Sequence, residues 1–154
     1  MTTRLKTPFK SAPEGIKALM ALEASFKASG LEPNLMELVK LRASQINGCA
    51  FCIHMHATDA RAQGESEMRL YMLNAWRESS LYSDRERAAL AWTEALTLLA
   101  QTSAPDADYA QIKAVFSEAE QVQLSLLIGA INLWNRLQVG FRAAHPVEPA
   151  RDAA

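Results

Sequence analysis

The residues best suited to chemistry in this chain gather in one short stretch. Its only two cysteines, Cys49 and Cys52, are three positions apart, and His56 follows four positions later. On an α-helix, where each residue turns the chain by about 100°, these three side chains lie within about 60° of one another. Two thiols at this spacing can close a small reversible disulfide, and a histidine one turn further can move a proton. The stretch therefore predicts a dithiol redox centre.

The position of Cys49 favours ionisation of its thiol, but only in part. Asn47-Gly48 predicts the end of one helix, and the next helix is expected to begin at Cys49 or Ala50. Lowering a thiol pKa from about 8.5 to about 7 takes about 2 kcal/mol, whereas a helix N-terminus supplies about 0.3–1 kcal/mol. A base is needed as well, and histidines suit proton transfer at neutral pH, which makes His56 the candidate.

Composition and charge exclude several other classes of function. The 154 residues predict one domain over residues 1–154, and the 49% hydrophobic share predicts a real core. A net charge of −1 and the absence of a basic stripe argue against nucleic acid and anionic membranes. No run is long enough to span a bilayer, and residues 1–10 do not resemble a signal peptide, so we expect a cytoplasmic protein. There, a Cys-x-x-Cys pair is catalytic or metal-binding more often than structural.

The hydrophobic pattern predicts helices throughout, about seven of them, and no strand. Asn34 and Glu37 resemble a variant capping box, while Ser83 and Ser117 open full ones. The last long helix is expected to run towards Arg142, with a loose tail from position 145 onward. The predicted helix starts are Pro13, Asn34, Cys49 or Ala50, Ser66, Ser83, Asp106 and Ser117.

Glu37 and the run Cys49-x-x-Cys52-x-x-x-His56 resemble the core motif of the AhpD-like alkylhydroperoxidases, within the carboxymuconolactone decarboxylase superfamily. The resemblance is strongest from about residue 33 to residue 76. It implies an all-α, AhpD-like multi-helix bundle that assembles as a homo-oligomer, such as a trimer or hexamer. It also implies a thiol peroxidase or disulfide reductase that uses no cofactor, prosthetic group or metal ion.

The same resemblance implies a role for each motif residue. Cys52 would attack the peroxide, Cys49 would resolve it as a disulfide, and Glu37 with His56 would relay protons. The expected partners are a hydroperoxide substrate and a dithiol reductant, such as a dihydrolipoamide-type protein. Superfamily members that act as decarboxylases lack the cysteine pair, so the pair favours redox chemistry. Phe51 stands where the best-known members carry a second histidine, which predicts a shorter relay or a substrate other than an alkyl hydroperoxide.

Other interpretations of these residues stay open. Glu37 could simply close a capping box with Asn34. The four motif residues could instead bind zinc, although structural zinc sites usually draw on two ligand pairs from separate segments. A non-catalytic helical stress-response module is the second class of function. In the last predicted helix, Asn132, Trp134 and Asn135 match the same superfamily, but we expect them in core packing or subunit contacts.

Overall fold

Helices are the only regular elements between residues 2 and 146, the part of the chain that this computed structural model describes. Within this part, nine α-helices alternate with short turns and with two 3-10 helices, at Phe26–Ala28 and Leu73–Ala75. The α-helices are α1 (Pro8–Ser11), α2 (Pro13–Ser25), α3 (Pro33–Ile46), α4 (Ala50–Ala62), α5 (Glu67–Met72), α6 (Asp84–Thr97), α7 (Leu99–Thr102), α8 (Asp106–Val115) and α9 (Glu118–Phe141).

The predicted all-α fold is confirmed, while the predicted number of about seven helices is too low. The two additional helices within residues 2–146, α1 and α7, are four residues long each. A segment of one turn is too short to show hydrophobic periodicity, which is why the sequence pattern did not reveal them. The assignment of one domain to residues 1–154 and of a loose tail after position 145 stays a prediction, because residue 1 and residues 147–154 lie outside the described part.

Most helix starts follow their predicted caps, with one exception. Ser83 and Ser117 each form a complete capping box. The capping box predicted at Asn34 is wrong, because α3 begins one residue earlier at Pro33. Proline suits the first helical position, since its missing N–H would have no partner there. The Glu37 carboxylate is therefore not used as a cap and turns towards other side chains.

Helix α3 is the central element of the bundle. It packs against α4, α6 and α9 at once, so residues on its different faces meet three different neighbours. This arrangement brings the carboxyl half of α3 beside the first turns of α4 and the second half of α9. The fully buried apolar side chains that hold these helices together include Leu38, Val39, Leu90, Leu124, Leu127 and Ile128.

The 24-residue helix α9 combines a buried face that is partly polar with an exposed face that is partly apolar. Asn132, Asn135 and Gln138 point inward, whereas Leu126 and Leu133 are 44% and 46% exposed. Neither α9 nor any other helix of residues 2–146 has the length and hydropathy needed to cross a membrane.

Candidate active site

The turn between α3 and α4 fixes the first cysteine. Gly48 has a φ of 65°, the left-handed conformation that glycine adopts at little cost, directly after the end of α3. The Gly48 N–H donates to the Gln45 carbonyl (3.2 Å) and the Cys49 N–H donates to the Ser44 carbonyl (3.0 Å). This pair of bonds is a Schellman motif, and it ties Cys49 to the last turn of α3.

The two thiols lie together at the start of α4. Cys49 is the N-cap residue, and its sulfur accepts a hydrogen bond from the Cys52 backbone N–H at 3.4 Å. Both cysteines are reduced, and each is only 1% exposed. A hydrogen bond from the Cys52 thiol lowers the pKa of Cys49 to about 7, whereas that bond and burial raise the pKa of Cys52. Of the two thiols, Cys49 therefore has the lower pKa.

Glu37 on α3 and His56 on α4 form a buried pair. His56 Nδ1 lies 2.7 Å from one carboxylate oxygen of Glu37, and the Lys40 ammonium lies 2.9 Å from the other. Burial raises the pKa of Glu37, but the bonds to His56 and Lys40 outweigh it and hold that pKa below its usual value. The ionised carboxylate accepts the Nδ1 hydrogen, and in this tautomer of the imidazole the lone pair lies on Nε2. Nε2 is buried and has no hydrogen-bond partner within the described part of the chain.

A cavity of about 470 Å³ lies against this group of residues. Cys52 and His56 line its inner wall, and Lys40 and Asp59 add charged groups to the lining. Cys49 instead borders a separate cavity of about 320 Å³. The remaining lining of the larger cavity is mostly apolar and includes Phe9, Ile16, Met20, Phe51, Met55 and Trp134.

A third set of polar side chains, all amides or hydroxyls, lies behind the thiols. Asn135 of α9 is 1% exposed, and its amide nitrogen donates to the Ser44 hydroxyl at 3.0 Å. Asn47 donates to the side-chain oxygens of both Asn135 (2.8 Å) and Asn132 (3.0 Å). The sequence predicts packing or subunit contacts for Asn135 and gives no indication of a role for Ser44. The available signal in the sequence is the pair of asparagines on a mostly apolar face of α9.

Comparison with known proteins accords with this geometry. A model of the carboxymuconolactone decarboxylase family matches residues 13–95, which is more than half of the chain. The chain belongs to this family. Among curated relatives, YdfG of Bacillus subtilis is 45% identical over 138 residues, which cover 88% of this chain and 94% of YdfG.

Solved structures place this family member in the AhpD-like group. One solved structure is that of a protein of unknown function from Agrobacterium tumefaciens, proposed to be the antioxidant defence protein AhpD. It is 49% identical to this chain and superposes with a TM-score of 0.91, over 96% of this chain and all of the other. A peroxidase-related protein from Silicibacter sp. TM1040 is 18% identical with a TM-score of 0.78, over 94% of this chain and 92% of the other, and shows the common fold. The predicted AhpD-like membership is confirmed.

The structure brings all four predicted residues of this AhpD-like protein into one region. Glu37 contacts His56, Cys52 contacts Cys49, and His56 shares the larger cavity with Cys52. A hydrogen bond between His56 and Cys52 is absent: within residues 2–146, His56 Nε2 does not hydrogen-bond to Cys52 or to any other group. Phe51, at the position of the family's second histidine, lines the cavity and adds no titratable group.

The structure gives the alternative zinc site little support. Among residues 2–146, the one group of three or more metal-ligating side chains with all ligand atoms within 4.8 Å of one another is Glu37, His56 and Asp59, without either cysteine. Both oxygens of Glu37 are already engaged, by Lys40 and by His56. An ammonium group 2.9 Å from a potential ligand disfavours a further cation by like-charge repulsion.

Proposed function

We propose that this protein is a thiol peroxidase, which reduces a hydroperoxide with its cysteine pair and is regenerated by a dithiol. The observation that carries the proposal is the unpartnered Nε2 of His56. This nitrogen is buried, the His56 residue lines the same cavity as Cys52, and Glu37 holds the imidazole ring through Nδ1. A neutral imidazole held in this way is arranged to accept a proton from a group inside the cavity.

In the first step, His56 Nε2 takes the proton of the Cys52 thiol as the sulfur attacks the terminal oxygen of the hydroperoxide. A sulfur–oxygen bond forms and the oxygen–oxygen bond breaks. The departing alkoxide takes the proton back from His56 and leaves as an alcohol. Glu37 stabilises the transient imidazolium, because its carboxylate lies 2.7 Å from Nδ1. The product on the protein is a sulfenic acid at Cys52.

In the second step, the Cys49 thiolate attacks the sulfenic sulfur of Cys52. A disulfide forms and hydroxide leaves, which becomes water with a proton from solvent. Cys49 suits this role because its pKa of about 7 keeps much of it ionised at neutral pH. A dithiol of the dihydrolipoamide type then reduces the disulfide by two successive exchanges and is itself oxidised to a disulfide.

The cavity favours a hydroperoxide with a bulky apolar group. Hydrogen peroxide would leave most of the 470 Å³ filled with water, whereas an alkyl or aryl group would contact Phe51, Met55 and Trp134. Phe9 packs edge-on against Trp134, with ring centres 5.7 Å apart, so the N-terminal segment covers one side of the cavity. We therefore expect cumene hydroperoxide to be a better substrate than hydrogen peroxide.

The deciding experiment measures peroxide consumption with dihydrolipoamide and with dithiothreitol as reductants. Turnover by the unmodified protein and its loss in both Cys52→Ser and Cys49→Ser would support the proposal. Met68→Ser serves as a control, because Met68 is 59% exposed on α5 and away from the site. The proposed function would be overturned if the unmodified protein consumed peroxide no faster than a reaction without protein, with either dithiol. Full activity in Cys52→Ser would overturn it as well.

A further inference from the structure

We propose that the Asn135 side-chain amide is a positioning group that donates a hydrogen bond to the cysteine thiolate, in an orientation fixed by Asn47 and Ser44. The inference rests on the proposed function for its purpose, since it concerns the same cysteine pair. It adds a residue from α9, far from the Cys-x-x-Cys motif in sequence. It also concerns a property of the thiols that is measurable without any substrate.

The orientation of the Asn135 amide is determined by its neighbours. Asn47 Nδ2 has two hydrogens, and it directs one to the oxygen of Asn132 and one to the oxygen of Asn135. The oxygen of Asn135 must therefore face Asn47, and its nitrogen must face the opposite way. On that side the nitrogen donates to Ser44 Oγ at 3.0 Å, while Ser44 donates its own hydrogen to the Lys40 carbonyl at 2.7 Å.

One hydrogen of the Asn135 amide is then left for another acceptor. An amide nitrogen carries two hydrogens, and Ser44 is its only oxygen acceptor among residues 2–146. Ile131, one turn earlier on the same face of α9, packs in one buried cluster with Cys49 and Cys52. The Asn135 side chain also lowers the pKa of both thiols, in keeping with a place beside them. The cysteine sulfurs of that cluster are the acceptors that we propose for this second hydrogen.

A donor in this place has a clear physical effect. Cys49 and Cys52 are each only 1% exposed, so water solvates a thiolate there poorly. The first turn of α4 supplies N–H groups from one side, and the Asn135 amide supplies a donor from the other. A neutral amide stabilises the negative charge without adding a group that titrates, and its fixed orientation needs no rearrangement when the proton leaves.

The test measures the pH dependence of thiol alkylation by iodoacetamide in the reduced full-length protein. In Asn135→Ala we expect the midpoint of the lower titration to rise by about one pH unit, with an approximately tenfold slower reaction at pH 6. Asn132→Ala is the matched control. It removes the other acceptor of the same Asn47 amide, but the Asn132 nitrogen faces Thr97 and the Ile128 carbonyl (3.1 and 2.9 Å) instead of the thiols. Its midpoint should stay unchanged.

A second variant keeps the test decisive if Asn135→Ala fails to fold. Asn47→Ala leaves Asn135 in place and removes the donor that orients it, so a smaller rise in the same direction is expected. An unchanged midpoint in the Asn135 variant, or equal shifts in the Asn135 and Asn132 variants, would overturn the proposal. If the protein proves not to be a peroxidase while the Asn135 midpoint still rises, the proposed function fails and the role of Asn135 stands.

Discussion

Replacement of Glu37 by glutamine tests the proton path most directly. The substitution keeps the size of the side chain and removes the charge that faces His56 Nδ1 at 2.7 Å and Lys40 at 2.9 Å. A hydrogen bond to a charged group contributes about 1.5–3 kcal/mol, against about 0.5–1.5 kcal/mol for a neutral one. The imidazolium that forms when Cys52 loses its proton would thus lose about 1–1.5 kcal/mol, which corresponds to a 5- to 12-fold lower kcat/KM.

The same substitution also affects stability, because it leaves the Lys40 ammonium without its anion. The Lys40 side chain is only 14% exposed, so we expect the free energy of unfolding to fall by about 1–3 kcal/mol. Lys40→Met supplies the control, since it removes the ammonium and keeps the apolar stem. The double variant Glu37→Gln/Lys40→Met should regain most of the stability of the unmodified protein and still turn over slowly.

The assay pairs steady-state peroxide consumption with urea unfolding for the three variants. If the double variant regains turnover together with stability, Glu37 only balances the charge of Lys40, and the relay is refuted. The pH dependence gives a second check. The pKa of Glu37 is depressed below 4.5, so its share of the stability is present above that pH and is lost as pH falls through the lower, folded-state pKa. Glu37→Gln should therefore show a shallower loss of stability in acid.

Further measurements test the thiols and the assembly. Mild peroxide treatment should join Cys49 to Cys52 in a disulfide within one chain, and a sulfinate with no disulfide would contradict the redox assignment. In Cys49→Ser, a sulfenic acid should be trapped on Cys52. If a sulfenic acid is instead trapped in Cys52→Ser, on Cys49, and none is found in Cys49→Ser, the roles of the two cysteines are reversed. The alkylation rate of the reduced protein, measured against pH, should have its lower midpoint at about pH 7, because the hydrogen bond from Cys52 lowers the pKa of Cys49 to about 7. A lower midpoint near pH 9 would refute this effect of the hydrogen bond. Light scattering at micromolar concentration should give the mass of a homo-oligomer, and a monomeric mass for the unmodified protein would exclude assembly. Leu133→Glu should weaken the oligomer, because Leu133 lies on the exposed apolar face of α9, whereas Met68→Glu should leave it unchanged.

Several features of this protein follow from its sequence alone, because they depend on neighbours along the chain. Helical periodicity and the serine caps at Ser83 and Ser117 predicted the all-α fold, and Asn47-Gly48 predicted the break before α4. The spacing of Cys49 and Cys52 within one helical turn predicted their proximity, since three residues on a helix bring side chains to one face. The family followed from the same motif.

Only the tertiary structure decided how Glu37 is used and what surrounds the thiols. The local sequence predicted that Glu37 caps its own helix, but the packing of α3 against α4 places Glu37 in hydrogen-bond contact with His56. Asn135 reaches the cysteine pair only because α9 packs on α3, and no spacing rule connects residues 91 positions apart, such as Ser44 and Asn135. Which thiol is ionised depends on burial and on the direction of individual hydrogen bonds. Burial and the direction of these hydrogen bonds are set by contacts between helices. The local sequence predicts each helix separately and does not predict those contacts.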